Sequence, residues 1–462
     1  MNETYSVDLD PQRFLKEQLR LFAFDLTTPP TTEVLLRVRS ELSKHERLTT
    51  LLEGELNFHG ENSKYASHDL HAFAAKFPPQ LPRAFIRGLT NPGDIVLDPM
   101  MGSGTSIVEA LLEGRKGIGL DIDPLALRLC HVKTTPMNID DLRSTGTEVI
   151  TQATILMSQK ELIENHRAMC FDANTKKFVD YWFLETTQRE LAALVMAIHQ
   201  VDNNSVRRFL ELVFSSIIIT KSGGVSRARD LAHSRPHLDE TKIPRNAIEQ
   251  FSIRLRKSLI SIAQLKQNGA NAAPIGGDAR LIPLADGVID LVVTSPPYAN
   301  AIDYMRAHKF SLVWFGESVG DLSELRSKYI GSERILHTPY SAFPDSVENI
   351  IQQLKERDHH KATILRKYFL EMESVLAEIY RVLRPDSAAI IIVGSSTMRG
   401  LDIQTHKCLS DISKKLGFEV VRIAQRHLDR NKRMMPARFG NKSDSMIEQR
   451  IHDEHVIGLW KD

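Results

Sequence analysis

The chain has 462 residues, of which 42% are hydrophobic and 25% charged, so it can bury a sizeable core and is not expected to be disordered as a whole. Its 59 basic and 58 acidic residues leave a formal net charge of +1. This balance excludes a uniformly basic nucleic-acid coat but leaves local basic patches open. Three dispersed cysteines without a CxxC pair predict a reducing cytoplasm, and no apolar run approaches the roughly 20 residues of a membrane span.

The first 135 residues change character once. Apolar residues at helical spacing predict an N-terminal helical extension over residues 1–57, with two helices separated by the turn sequence TTPP at 27–30. Over residues 58–135, a short buried strand at 95–97 is followed by a glycine-rich turn, a helix and a second strand at 116–121. This order forms a βαβ unit, which predicts a parallel sheet in an α/β fold.

The second half of the chain begins with a long helical region. Residues 136–270 are predicted to form a large helical insertion, a candidate for DNA recognition, which one irregular basic stretch interrupts. The alternating pattern resumes in residues 271–462. Strands are expected near 289–293, 388–394, 418–424 and 455–460, and helices over 366–384 and 403–416.

The sequence DPMMGSGT at 98–105 follows the first strand and opens a helix. Its glycines allow a ligand to approach the backbone closely, and the helix N-terminus favours negative charge. Asp121 ends the second strand, where an acid can accept hydrogen bonds from a ribose diol. Because the GxGxxG and Walker patterns are absent, this short acid-flanked loop favours a ligand without phosphate, such as S-adenosylmethionine.

The sequence TSPPY at 294–298 follows another buried strand. Its two prolines fix φ and remove two amide donors, so the carbonyls can face a crevice without competing N–H groups. The Ser295 hydroxyl and the Pro296 carbonyl can accept the amine protons of a planar base whose ring stacks on Tyr298. The alternative is a proline–aromatic turn that serves only packing.

Together these segments resemble the amino-methylating, S-adenosylmethionine-dependent DNA methyltransferases, and in particular the cytosine-N4 enzymes. DPMMGSGT resembles their cofactor loop and TSPPY their catalytic loop, while residues 65–79 resemble the motif that closes over the methionine end of the cofactor. The resemblance covers about 58–135 and 275–400. It implies a Rossmann-like sheet with helices on both faces, divided into a SAM-binding half (58–135) and a catalytic half (271–462).

The resemblance also implies an activity and its site residues. The expected reaction is direct in-line methyl transfer to the N4 amine of a flipped cytosine in double-stranded DNA, with a cognate restriction endonuclease as a candidate partner. The expected catalytic residues are Ser295, Pro296, Pro297 and Tyr298. The expected cofactor-binding residues are Lys76, Phe77, Asp98, Pro99, Gly102, Ser103, Gly104, Thr105, Asp121 and Asp278, the last near the adenine.

Two basic stretches, 221–257 and 422–450, each carry a net charge of +5 and compete for the DNA backbone; solvated charged faces are the alternative. The expected DNA-binding residues are Lys221, Arg227, Arg229, Arg235 and Arg433. No metal site is expected, because the candidate histidines lack partners at ligand spacing and are expected at the surface or in the cofactor loop. These histidines are His68, His71, His359 and His360.

Three other functions remain open: adenine-N6 methylation of DNA, guanine-N2 methylation of RNA, and SAM-dependent DNA binding without transfer. Serine before the Pro–Pro pair favours cytosine N4 in family terms, and an intact TSPPY argues against a module that only binds. Carbon-5 methylation needs a nucleophilic cysteine, commonly after a proline, and none of Cys130, Cys170 and Cys408 follows one.

Overall fold

The computed structural model describes residues 42–73, 76–220, 224–229, 231, 236–265, 270–299, 303–332, 342–428 and 453–462. Most of the predicted N-terminal extension therefore lies outside the described residues, including the turn at 27–30. The expected DNA-binding residues Lys221, Arg235 and Arg433 lie outside them as well.

A seven-stranded sheet forms the centre of the fold. Its strands are β1 (Ile95–Asp98), β2 (Lys116–Asp121), β3 (Ala272–Gly276), β4 (Ile289–Thr294), β5 (Leu383–Gly394), β6 (Glu419–His427) and β7 (Asp453–Lys461). The spatial order is β3-β2-β1-β4-β5-β7-β6. The first five strands are parallel, and β7 runs antiparallel between β5 and β6. The predicted α/β class with a mostly parallel sheet is confirmed.

Fifteen α-helices lie in the described ranges. They are α1 (Lys44–Glu53), α2 (Gln80–Leu89), α3 (Thr105–Leu112), α4 (Pro124–Thr134), α5 (Ile139–Leu156), α6 (Lys160–Cys170), α7 (Ala173–Trp182), α8 (Glu185–His199), α9 (Asn204–Ile218), α10 (Ala247–Ile262), α11 (Met305–Leu312), α12 (Val319–Ser327), α13 (Asp345–Arg357), α14 (His359–Val382) and α15 (Thr405–Lys415). Two-residue strands pair antiparallel at two further places, 228–229 with 237–238 and 397–398 with 401–402. Helix α14 begins seven residues before the predicted boundary at 366, because Asp358 caps it by accepting the Lys361 N–H.

The central strands are buried on both faces. Successive side chains of a strand point to opposite sides, so Val96 packs with α1 and α2 while Leu97 packs with α13, α14 and α15. The same alternation places Leu291 and Val292 in the two separate cores. Helices on both faces explain why these strands read as continuous apolar runs, and this part of the predicted architecture is confirmed.

After α4 and before β3, the described residues form six more helices, α5 to α10, around a further apolar core. That core is not closed on itself: Leu129 of α4, Phe310 of α11 and the neighbouring Trp314 belong to it. Helices α5 to α10 therefore pack against both α4, which follows β2, and α11, which follows TSPPY. None of the described helices is both long and apolar enough to cross a bilayer.

The strand order reverses between β1 and β4. These two strands are parallel neighbours, with Val96 opposite Leu291 and Leu97 opposite Val292. From β1 the chain moves to β2 and β3 on one side, while β4 and β5 lie on the other. In open α/β sheets, ligands bind in the crevice at the carboxyl ends of the strands at such a reversal. The loops that carry DPMMGSGT and TSPPY both begin there.

Candidate active site

The glycine loop after β1 is held tightly against its neighbours. Gly104 has φ +72°, and a Cβ there would lie 2.8 Å from the Cys130 sulfur of α4. Gly102 has φ +47°, and its N–H donates to the Asp121 carboxylate at 2.8 Å. Both positions lie in the left-handed region that favours glycine. Close packing and the positive φ angles therefore favour glycine at both positions of this loop.

The two expected acids lie at the ends of β1 and β2. Asp98 is buried, and burial raises its pKa to about 6, although the hydroxyls of Thr294 and Ser106 favour the ionised form. Asp121 accepts the N–H groups of Gly102 and Asp123, the latter at 2.9 Å. Burial and the Asp123 charge raise the pKa of Asp121 to about 7. Both carboxyls therefore titrate closer to neutrality than ordinary aspartates do.

Strand β4, which leads into TSPPY, is joined directly to α3, the helix that follows the glycine loop. The Ser106 hydroxyl of α3 donates to the Val293 carbonyl of β4 at 3.0 Å. Within TSPPY, Ser295 and Pro297 are half-buried, whereas Pro296 is buried. DPMMGSGT and TSPPY thus lie side by side at the carboxyl ends of β1 and β4.

The Tyr298 ring is enclosed by neighbouring residues and is not freely exposed for a base to stack on. Its ring packs against Gly394 of β5, where an added Cβ would lie 2.6 Å from Cε2. Its hydroxyl donates to Glu454 at 2.8 Å, and Glu454 is also paired with Arg426. Burial, followed by the Glu454 charge, raises the Tyr298 pKa well above its usual range. The hydroxyl is therefore protonated and serves as an anchor, and stacking of a base on the ring stays a prediction.

The segment before α2 places a different aromatic residue at the loop than expected. Phe77 is buried in the apolar core with Leu81 and Phe85. Phe73 lies instead at the glycine loop, 3.2 Å from a Cβ built on Gly102, and its ring stacks on Tyr304 with centroids 5.5 Å apart. Sequence reasoning missed Phe73 because only the tertiary contact distinguishes it from Phe77.

Two other expected cofactor residues are engaged by neighbours. The exposed Lys76 donates to the His68 carbonyl at 2.9 Å. Asp278 follows β3, beside the end of β2, and is paired with Arg280 at 2.5 Å. Although burial opposes it, this pairing lowers the Asp278 pKa. A role for Asp278 near an adenine stays a prediction, and Arg280 would share that position.

The histidines that the sequence places at the surface or in the cofactor loop include two buried ones. His68 is 3% exposed and lies 2.7 Å from Glu109 of α3, which also accepts from the Tyr65 hydroxyl at 2.8 Å. His71 is also 3% exposed. Burial excludes the surface for both and leaves the other expected location, the segment 65–79. Their partners are distant in sequence and cannot be recognised from local spacing.

Lys133 is a buried residue of the site that sequence reasoning missed. It is 1% exposed, and its ammonium donates to the Ser103 carbonyl in the glycine loop at 2.6 Å. Burial lowers its pKa to about 7. A lysine within the apolar helix sequence LRLCHVK is the one sequence signal that could have indicated it.

The described members of the expected DNA-binding set, Arg227 and Arg229, lie just before and within the two-residue strand at 228–229. The Arg229 guanidinium is paired with Asp239 at 2.7 Å, and the Arg227 N–H donates to the Trp182 carbonyl. Arg229 remains largely exposed, as an exposed ion pair allows. Binding of DNA by either arginine stays a prediction.

Comparisons with known proteins point in the same direction. Residues 35–131 match the family model described as DNA methylase. The type II methyltransferase M.MvaI from Kocuria varians is 26% identical over 433 residues, covering 86% of this chain and 92% of its own. M.BsoBI from Geobacillus stearothermophilus is 24% identical and covers 87% and 86%. The similarity thus extends beyond the segments that carry the motifs.

These similarities support a DNA methyltransferase. They also support S-adenosylmethionine as its cofactor. Among solved structures, the TehB-like SAM-dependent methyltransferase from Corynebacterium glutamicum is 10% identical and covers 82% of this chain and 87% of its own, with a TM-score of 0.27. That score is too low for a structural inference.

Proposed function

We propose that the protein methylates the exocyclic N4 amine of cytosine in double-stranded DNA, with S-adenosylmethionine as the donor and the target base flipped out of the helix. The observation that supports this most directly is the adjacency of DPMMGSGT and TSPPY at the β1–β4 reversal, where Ser106 of one motif's helix is hydrogen-bonded to Val293 of the other motif's strand. Adjacent loops allow a donor and an acceptor to meet in one crevice.

The residues at the end of β1 and β2 fit the cofactor. Gly102 and Gly104 allow the loop to pack closely against Phe73 and Cys130, and Asp121 offers a carboxylate where a ribose diol would be held. S-adenosylmethionine supplies an electrophilic methyl group on a sulfonium. In this assignment Asp98 and Asp121 hold the donor, and the glycine loop allows it to approach the backbone.

The residues of TSPPY would prepare the acceptor. An aromatic amine is a poor nucleophile because its lone pair is delocalised into the ring. The Ser295 hydroxyl and the Pro296 carbonyl would accept the two amine protons, draw the nitrogen towards tetrahedral geometry and free the lone pair. Attack on the methyl group then needs positioning and a water-poor crevice, with no covalent enzyme intermediate.

Serine before the Pro–Pro pair supports cytosine N4 over adenine N6, which remains the alternative because a hydroxyl can accept a proton from either amine. Carbon-5 chemistry is disfavoured by the cysteines. Cys130 and Cys408 are buried, burial raises the pKa of each thiol to about 12, and neither follows a proline.

The helical region 136–270 is the proposed site of DNA recognition, within the domain division suggested by the sequence. Its helices pack against α4 and α11, so a DNA duplex on its surface would lie beside the crevice. A restriction endonuclease is the proposed functional partner, as the type II names of the relatives suggest.

The direct test is mass spectrometry of nucleosides after incubation of the purified protein with S-adenosylmethionine and unmethylated DNA. N4-methylcytosine is the expected product. Detection of N6-methyladenine would show that adenine, the alternative target, is the base methylated. Detection of N2-methylguanine only with RNA would show that the substrate is RNA and not DNA. Intact nucleosides despite cofactor binding would indicate a module that binds without transferring.

Variants of the catalytic loop test the residue assignment. Ser295→Ala and Tyr298→Ala should lose methyl transfer while retaining S-adenosylmethionine binding, because neither residue is among the expected cofactor-binding residues. Ser413→Ala in α15, where the buried hydroxyl donates to the Leu409 carbonyl of its own helix, is the matched control and should remain active. Unchanged turnover in Ser295→Ala would remove Ser295 from the mechanism.

A further inference from the structure

A series of short buried polar contacts connects three parts of the chain. The His71 ring lies 2.9 Å from the Ser215 hydroxyl of α9, which lies 2.9 Å from the Ser311 hydroxyl of α11. The Ser311 hydroxyl lies 3.1 Å from the His308 carbonyl of the same helix, and His308 Nδ1 lies 2.6 Å from the Asp123 carboxylate. These five residues, from His71 to Asp123, are called here the buried relay.

Every member of the buried relay is at most 4% exposed. In such surroundings a hydrogen bond is stronger than in water, and a polar group that loses its partner is costly. The groups therefore stay paired, and each restricts the position of the next. Ser215 is the one member contributed by α5 to α10, the helices inserted between α4 and β3.

One end of the buried relay reaches the cofactor acid. The Asp123 N–H donates to Asp121 Oδ1 at 2.9 Å, so the position of Asp123 sets the orientation of the Asp121 carboxylate. The Asp123 side chain also caps α4 and accepts the Tyr329 hydroxyl at 2.8 Å. Burial opposes ionisation of Asp123, but the neighbouring His308 lowers its pKa.

The other end reaches the segment that covers the glycine loop. His71 is two residues from Phe73, whose ring lies against Gly102. Helix α10 holds the same segment, because Arg254 donates to the carbonyls of Asp69 and Leu70 at 3.0 and 2.5 Å. The inserted helices thus contact both the cover of the cofactor crevice and the helix after TSPPY.

We propose that Ser215 and His308 are positioning residues for the cofactor, and that through them the inserted helices are an integral part of the S-adenosylmethionine site. This inference rests on the proposed function. Ser215 aligns the cover segment with α11, and His308 carries that alignment to Asp123 and so to Asp121. Breaking any link releases the same alignment, so a second break should add little.

The test is a double-mutant cycle measured as S-adenosylmethionine affinity of the full chain by calorimetry. Ser215→Ala and Asp123→Asn remove distant links, since the two residues share no direct contact. Asparagine retains the helix cap, so Asp123→Asn weakens mainly the bond to His308. Each single variant should weaken binding about three- to tenfold, the effect of one buried hydrogen bond.

The double variant should bind at least about threefold more tightly than the product of the two single effects predicts. Ser413→Ala combined with Asp123→Asn should show simple multiplication. If Ser215→Ala prevents folding, which its melting curve would reveal, Ser311→Ala replaces it. Multiplicative effects of Ser215→Ala and Asp123→Asn, or wild-type affinity in Ser215→Ala, would overturn this inference and leave the proposed function standing. Failure of the wild-type chain to bind S-adenosylmethionine would overturn the proposed function as well.

Discussion

Asp98 and Asp121 end neighbouring strands, but their carboxylates have different roles in the structure. Asp98 lies near the hydroxyls of Ser106 and Thr294, which tie the β1 end to the β4 end. Asp121 accepts backbone N–H groups from Gly102 and Asp123, which shape the glycine loop. Because its pKa is about 7, Asp121 exchanges its proton near neutral pH. It is therefore both an anchor of the loop and an ionisable group of the crevice.

Cofactor affinity should consequently depend on pH. The ionised Asp121 is the better acceptor for a ribose diol, so affinity for S-adenosylmethionine should rise about tenfold between pH 6 and 8. The Asp121→Asn variant should lose this part of the dependence, because the amide does not titrate. Calorimetric titrations of both proteins across this range would measure it, and parallel pH profiles would contradict it.

The stability of the protein without cofactor should change with pH in the opposite direction to the cofactor affinity. Burial raises the Asp121 pKa in the folded chain above that of an unfolded aspartate. The folded state therefore binds more protons between pH 4 and pH 7, and the contribution of Asp121 to stability is lost as the pH rises through about 7. Cofactor binding should offset this loss.

Gly394 decides the position of the Tyr298 ring. A methyl group at residue 394 would lie 2.6 Å from the ring, so Gly394→Ala should displace Tyr298, reduce stability by about 1–3 kcal/mol and abolish transfer. Cofactor binding should persist. Gly320→Ala, whose Cβ would meet its nearest atom at 3.5 Å, is the control and should stay active in the same assay. Full activity of Gly394→Ala would show that the ring position is not critical.

At the scale of elements, the glycine loop depends on how closely α3 approaches α4. Gly104 stands at the N-cap of α3 in the left-handed region and touches Cys130 of α4. Loop, helix and neighbouring helix thus meet at one residue. The Lys133 ammonium of α4 also fixes this loop, because it donates to the Ser103 carbonyl. The geometry of the loop is therefore a property of the α3–α4 contact.

Two glycine substitutions separate backbone strain from this contact. Gly93→Ala changes a left-handed residue with no atom within 4 Å of the added Cβ, and should cost about 1–2 kcal/mol of unfolding free energy. Gly104→Ala adds the clash with Cys130 and should cost about 1–3 kcal/mol more, with a loss of cofactor affinity. Denaturant titration and calorimetry would measure both, and equal costs would contradict the role of the contact.

On the scale of the whole molecule, the inserted helices and the sheet are expected to unfold together. The apolar core of α5 to α10 includes residues of α4 and α11, so separating the insertion would expose Leu129 and Phe310 to water. The buried relay adds polar ties between the same parts. Shared burial of this kind favours one cooperative transition.

The three tryptophans can test this cooperativity. Trp182 and Trp314 lie in the apolar core of α5 to α10, and Trp460 lies in the core that α1 and α2 form on the sheet. Each variant, Trp460→Phe and the Trp182→Phe/Trp314→Phe double variant, is unfolded in urea and followed by both fluorescence and circular dichroism. In each variant the fluorescence midpoint should equal the circular-dichroism midpoint. S-adenosylmethionine at 100 times its Kd should stabilise both by about 2.7 kcal/mol. A separate fluorescence transition for the insertion would contradict the expectation.

The local elements of the core could be predicted from the sequence because short-range patterns specify them. The turn and apolar run before Asp98 indicated β1, DPMMGSGT indicated a glycine turn before a helix, and the run at 388–394 indicated the end of β5. A parallel α/β sheet followed from their order. Two strand-end loops in such a sheet could then be expected to meet, and Ser106 and Val293 confirm that they do.

The contacts within the crevice were decided only by the tertiary structure. Whether Phe73 or Phe77 reaches Gly102, and whether the Tyr298 ring is open or packed on Gly394, depends on how distant elements fit together. The buried relay links residues up to 185 positions apart. Sequence patterns record the burial of each such residue in its own element, whereas its partner is set by packing between elements, which has no local sequence signature.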